Sequence, residues 1–238
     1  MELGVGGAWP GETVARLAEV RGRIAAAAER VGRGPAEITL VAVSKTVPAQ
    51  RVKAAVAAGQ LIFGENRVQE ALGKAEACGP GLSWHLTGHL QRNKARAAAR
   101  FFDVVESLDS RELAAELDRR AGEAGRRLRV LVQVKIGDEQ TKSGVAPEDA
   151  PGLIETAARL PNLELAGLMT IPPPPERPGD SRPWFARLRG LRERWDGELC
   201  PRGTLRELSM GMSADYEEAI EEGATIVRVG SQIFGERS

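Results

Sequence analysis

The chain has 238 residues, and its 33 lysines and arginines balance 33 aspartates and glutamates, so it is formally neutral at pH 7. That balance argues against a nucleic-acid partner, which calls for a basic face, and no run approaches the ~20 apolar residues of a membrane helix. The length suits one α/β domain over residues 1–238, close to the about 250 residues of a barrel of eight strands and helices.

The N-terminal stretch MELGVGGAWPGE lacks the basic start and apolar core of a signal peptide, so a cytoplasmic protein is expected. A helical pattern over 12–31 comes first. Short runs rich in Val, Ile and Leu then follow at 38–43, 61–63, 83–88, 103–107, 128–136, 162–169, 206–209 and 225–229. Ala-rich amphipathic segments lie between them, for example at 48–58, 65–77, 111–124 and 214–222. Strict alternation of strand and helix implies parallel strands. Eight such units predict a closed (β/α)8 TIM barrel with an extra N-terminal helix. An open doubly wound sheet is the alternative, but the first strand-to-helix turn, Ser44-Lys45-Thr46-Val47-Pro48, is not a Gly-x-Gly-x-x-Gly fingerprint. After the sixth strand comes a proline-rich run, Pro172 to Pro178. It reads as an exposed polyproline loop, or as a semi-rigid lid or partner-docking segment at the rim of a site.

Lys45 is the residue with the sharpest chemistry. It ends the apolar run Ile38-Thr39-Leu40-Val41-Ala42-Val43-Ser44. A lysine against an apolar core loses solvation, which lowers its pKa and frees a neutral amine to attack a carbonyl. Two small-residue loops follow the seventh and eighth strands, at 209–215 and 230–235, where barrels commonly hold a phosphate. In the first, Gly211 permits close backbone approach and Ser213 is expected to cap the next helix. Arg228 stands in the apolar strand Thr225-Ile226-Val227-Arg228-Val229, on the side of Ile226 and Gly230. A guanidinium there needs a partner, either a structural carboxylate or a ligand. Asn66, in Phe63-Gly64-Glu65-Asn66, is placed to touch a ligand or to cap a helix.

Other reactive residues read as ordinary. His85 and His89 are the only histidines and lack a His-Glu-x-x-His motif, so no metal is expected and His85 reads as a core or pocket-lining residue. Cys78 and Cys200 form neither a Cys-x-x-Cys motif nor a disulfide framework. Lys142 is the runner-up for a covalent role, but its polar surroundings suggest a solvated amine. The arginine clusters at 126–129 and 187–194 read as solvated helix faces.

These motifs, in this order, resemble the YggS/PROSC family of pyridoxal phosphate homeostasis proteins. The match runs through Val43-Ser44-Lys45-Thr46, Phe63-Gly64-Glu65-Asn66, Trp84-His85-Leu86-Thr87-Gly88 and Gln140-Thr141-Lys142-Ser143-Gly144. It continues through Gly167-Leu168-Met169-Thr170, Ser209-Met210-Gly211-Met212-Ser213 and Arg228-Val229-Gly230-Ser231-Gln232. The resemblance implies a barrel related to the N-terminal domain of alanine racemase, with pyridoxal 5′-phosphate held as a Schiff base on Lys45. It further implies that Ser213, Gly230 and Ser231 hold the phosphate, that Arg228 faces the pyridine nitrogen, and that Asn66 lies near the ring. A monomer that hands cofactor to apo-enzymes is the implied behaviour. His89 and Lys135 depart from the residues common in relatives, and neither is a proposed cofactor contact.

A racemase needs an acid/base on each face of the substrate, the second being a tyrosine from another domain in alanine racemase. The chain ends about where the barrel is expected to end, and Tyr216 is its only tyrosine. The expectation is therefore a cofactor carrier. A weak amino-acid racemase using His85 or Tyr216 is the alternative, and a barrel enzyme acting on a sugar phosphate is a third.

Overall fold

A computed structural model describes residues 9–137 and 143–235 of the chain. Lys142 therefore lies outside the described residues. Eight strands, β1 (Thr39–Val43), β2 (Ile62–Glu65), β3 (Ser83–Leu86), β4 (Val104–Leu108), β5 (Leu128–Gln133), β6 (Leu163–Met169), β7 (Glu207–Ser209) and β8 (Ile226–Val229), pair in parallel in sequence order and close into a barrel. The seam is the β1–β8 pair, which sets Val41 in register with Arg228 and Ala42 with Val229.

Helices cover the outside. An N-terminal helix α1 (Trp9–Arg30) precedes the barrel, and α2 (Ala49–Ala57), α3 (Val68–Cys78), α4 (Ala95–Phe101) and α5 (Arg111–Glu123) follow the first four strands. The second half carries α6 (Ala150–Arg159), α7 (Arg182–Trp195), α8 (Tyr216–Glu221) and a single turn, α9 (Ser231–Phe234). In α1, Leu17, Val20, Ile24, Ala27 and Ala28 fall at helical spacing and are buried. That face packs on α2, α8 and α9, covering the closing seam. In α5, Ser110 caps the helix by accepting the Leu113 amide at 3.3 Å, and Leu113, Leu117 and Ala121 face inward.

The core has two layers. Val41, Val104, Leu131, Ala166, Met169 and Ile226 fill the barrel interior. Val227 and Val229 belong to the larger layer between sheet and helices. The period-two alternation of the eighth strand thus holds, and it turns Arg228 into the barrel with Ile226.

Among the boundaries that differ from the periodicity, three concern the C-terminal ends of strands. The second strand extends to Glu65, so α3 starts at Val68 rather than at 65, and Arg67 takes the N-cap position expected nearer Asn66. The third strand stops at Leu86, because Thr87 turns its hydroxyl to Asn66 at 3.1 Å. The fifth stops at Gln133, beyond which Val134 makes only an isolated bridge to Val145.

Candidate functional site

The C-terminal ends of the strands surround a cavity of ≈ 290 Å³. All six residues singled out from sequence line it: Lys45, Asn66, Ser213, Arg228, Gly230 and Ser231. Barrel closure is what brings Lys45, just beyond β1, beside the loop after β8. Apolar walls come from Val43, Val47, Ile171, Met212 and Phe234, none of which sequence reasoning had assigned to the site. Ile171 immediately precedes the proline-rich run, so that run does begin at the rim. The run is tied down at its far end, where Gly179 N donates to Glu218 Oε1 at 2.6 Å.

Arg228 forms the floor. It is 3% exposed, donating from Nη1 to Ser209 Oγ at 2.5 Å and from Nη2 to Thr170 O at 2.7 Å. Glu106 lies 3.8 Å away, accepts the Ser209 hydroxyl at 2.6 Å, and places its other oxygen 2.7 Å from His85 Nδ1. The buried arginine therefore has a carboxylate partner, and it also lines the cavity. Burial pulls the guanidinium pKa down, opposed by Glu106 and Asp215, yet arginine stays charged. For Glu106, burial pushes the carboxyl up, but His85, Arg228 and Ser209 outweigh it and hold the group below the ordinary range. Glu106 went unnoticed in the sequence. Its signal was the same as that of Arg228: a lone charge in an apolar strand, Val104-Val105-Glu106-Ser107-Leu108.

The opposite end is lined by backbone and hydroxyl groups. Gly211 has φ +90°, and a Cβ there would sit 2.5 Å from the Ala219 Cβ, so only glycine lets this loop lie against α8. A Cβ on Gly230 would come to 3.0 Å from Val43 O, which keeps the second loop against the end of β1. Ser213 Oγ accepts the Gly230 amide at 3.2 Å and joins the two loops. Contrary to the expectation from sequence, Ser213 is not the N-cap of α8. Asp215 holds that position and accepts both the Met212 amide and the Ser181 hydroxyl at 2.7 Å. The Asp215 carboxylate makes no bond to the helix amides itself but ties the loop before α8 to the start of α7, while Ser213 bridges the two loops.

The two histidines take separate carboxylate partners, His85 with Glu106 and His89 with Asp109 at 2.9 Å. His85 does not line the cavity. Neither does Tyr216, which packs outward with its hydroxyl 3.3 Å from Gln232 Oε1 and the Arg23 guanidinium 5.4 Å from its ring centre. Burial pushes its pKa up to about 12. Among the described residues, no histidine, tyrosine, cysteine or carboxylate lines the cavity. No helix among them is long and apolar enough to cross a membrane.

The family described as alanine racemase, N-terminal domain, matches residues 16–238. The pyridoxal phosphate homeostasis protein of Aquifex aeolicus is 46% identical over 223 residues, covering 93% of this chain and 97% of that protein. Its counterpart in Pseudomonas aeruginosa is 47% identical over 93% of this chain and 94% of that one. The chain belongs to this family. Among solved structures of the family, PipY of Synechococcus elongatus, determined with PLP bound, superposes with a TM-score of 0.82 at 40% identity, over 94% of this chain and 100% of that one. The (β/α)8 architecture expected from sequence, with its leading helix, is thus the architecture of the family.

Proposed function

We propose that this chain binds pyridoxal 5′-phosphate covalently at Lys45 and serves vitamin B6 homeostasis by sheltering the cofactor and delivering it to apo-enzymes. The observation that carries this reading is the convergence of Lys45, the Ser213–Gly230 loop pair and Arg228 on one cavity. The bound form of PipY supports it by analogy.

The cavity fits such a group on its own terms. It has an amine at one wall, a loop wall of Ser213, Gly230 and Ser231, and a buried cation on the floor. When bound, the cofactor supplies an aldehyde that condenses with an amine, a C=N bond forming as water leaves. Lys45 contributes the amine. Ser213, Gly230 and Ser231 would hold the phosphate. Asn66 would lie beside the ring, and Arg228, fixed by Ser209, Thr170 and Glu106, would face the pyridine nitrogen. A permanent cation there disfavours protonation of that nitrogen and weakens the ring as an electron sink. That arrangement, with neither His85 nor Tyr216 lining the cavity, favours holding the cofactor over racemisation.

The test is the near-ultraviolet and visible absorbance of the purified protein, followed by borohydride reduction and peptide mapping. A coloured protein with a pyridoxyl group on Lys45 supports the reading. A colourless protein that takes up no added pyridoxal 5′-phosphate overturns it and leaves a barrel for another phosphate-bearing ligand.

A further inference from the structure

A buried charged cluster lies directly behind Lys45. Lys45 occupies the second position of a β-turn closed by a 2.9 Å hydrogen bond from Val47 N to Ser44 O. Thr46, in the third position, has φ +64° and is the only described residue other than glycine with positive φ. Type II turns require that conformation at the third position and usually place glycine there. A β-branched residue held in it is an outlier that its surroundings must enforce.

The enforcing groups come from β2 and α3. Lys74 is buried on α3, and its ammonium donates to Ser44 O, to Glu65 Oε1 at 2.7 Å and to Glu70 Oε1 at 2.6 Å. Those three acceptors use all three of its protons. Glu70 Oε1 also accepts the Thr46 amide at 2.5 Å, and Glu65 Oε1 accepts the Ser44 hydroxyl at 2.6 Å. The peptide groups on both sides of Lys45 are therefore gripped by one ion cluster: the carbonyl of Ser44 by Lys74 and the amide of Thr46 by Glu70. Burial pushes Glu65 up against the pull of Lys74 and Ser44, whereas Glu70 is held low because Lys74 and the Thr46 amide outweigh its burial. Glu70 is thus held charged opposite Lys74.

We propose that Lys74 and Glu70 are positioning residues for Lys45, clamping its turn in the strained conformation that aims the amine into the cavity. This rests on the reading of Lys45 given above. An ordinary buried ion pair would stabilise the fold without discriminating between ligands that do and do not react with Lys45. The clamp discriminates.

The test compares Lys74→Met and Glu70→Ala with the native chain in three measurements. Hydrogen exchange of the Thr46 amide reports the turn without any cofactor. Pyridoxine 5′-phosphate, which lacks the aldehyde, reports the phosphate cradle alone. Borohydride trapping of pyridoxal 5′-phosphate on the Lys45 peptide reports the amine. Both variants are expected to lose Thr46 protection and to keep pyridoxine 5′-phosphate affinity. Trapping at sub-saturating ligand should fall about tenfold, the equilibrium equivalent of one strained backbone conformation. Adding Thr46→Gly, which adopts positive φ without strain, should restore much of that loss. Native-level trapping in both variants, equal loss of the two ligands, or no recovery with Thr46→Gly would each overturn the proposal. Should Lys74→Met fail to fold, Glu70→Ala, at a side chain 26% exposed, is judged by the same criteria. A native chain that traps nothing at Lys45 defeats the cofactor reading instead, and Thr46 exchange in the native and variant chains still decides whether the clamp holds the turn.

Discussion

Replacing Glu106 with glutamine tests whether the Arg228 floor is an electrostatic unit. The carboxylate is fully buried, and Arg228 beside it is 3% exposed, with Ser209 Oγ and Thr170 O as its hydrogen-bonded acceptors. Glutamine keeps an acceptor for the Ser209 hydroxyl but leaves the guanidinium facing neutral oxygens. Removing one partner of a buried pair typically costs about 3–5 kcal/mol, and the retained hydrogen bond places this change near the lower end, about 3 kcal/mol. That is a large share of the about 5–15 kcal/mol by which domains are stable. Glu106 in the folded chain lies below the ordinary carboxylate value of 4.5, so the unfolded chain takes up this proton first as pH falls. Its contribution is complete above the unfolded value and is lost as pH drops through the lower folded value. Glutamine does not titrate, so the gap between native and variant narrows in acid. Urea unfolding followed by the fluorescence of buried Trp84 and Trp195, repeated at descending pH, measures both effects. Adding Arg228→Met should recover part of the loss, because the two sites are coupled. A variant as stable as the native chain at neutral pH, or a gap that ignores pH, refutes the argument.

Gly211→Ala should lower stability by about 1–3 kcal/mol, since the residue is at φ +90° and the new Cβ meets Ala219 at 2.5 Å; urea unfolding checks this, and competition by inorganic phosphate should weaken in parallel. Ser213→Ala removes the acceptor of the Gly230 amide and should cost about 1 kcal/mol in stability, with a larger proportional loss in pyridoxine 5′-phosphate affinity by calorimetry. Tyr216→Phe breaks only the long contact to Gln232, so stability should change by about 1 kcal/mol or less and the visible spectrum of the cofactor-loaded protein should not move. A spectral change in that variant would return Tyr216 to the list of acid/base candidates.

Much of this barrel was legible in one dimension because the information is local. Alternation along Thr225-Ile226-Val227-Arg228-Val229 is enough to place a guanidinium inside, since a strand has only two faces. Helical spacing of Leu17, Val20 and Ile24 likewise marks the buried side of the leading helix. The two glycine-serine loops could be read as a phosphate end because barrel topology puts the ends of the seventh and eighth strands side by side.

Partnership was decided only by the tertiary structure. Glu106 meets Arg228 because strands far apart in the chain face one another across a closed barrel. Asp215 rather than Ser213 takes the N-cap position of α8, and its carboxylate is held by the Met212 amide and by Ser181 at the start of α7, which no local capping rule anticipates. Glu65 stays in its strand, and α3 starts late, because Ser44 and Lys74 both bind that carboxylate. Lys74 itself looks like any lysine in an amphipathic helix until the packing of α3 against the end of β1 buries its ammonium under the Lys45 turn. Periodicity tells a side chain which way to point. Only the closed fold supplies the charge it meets there, and for buried ionic groups that partner is most of the energy.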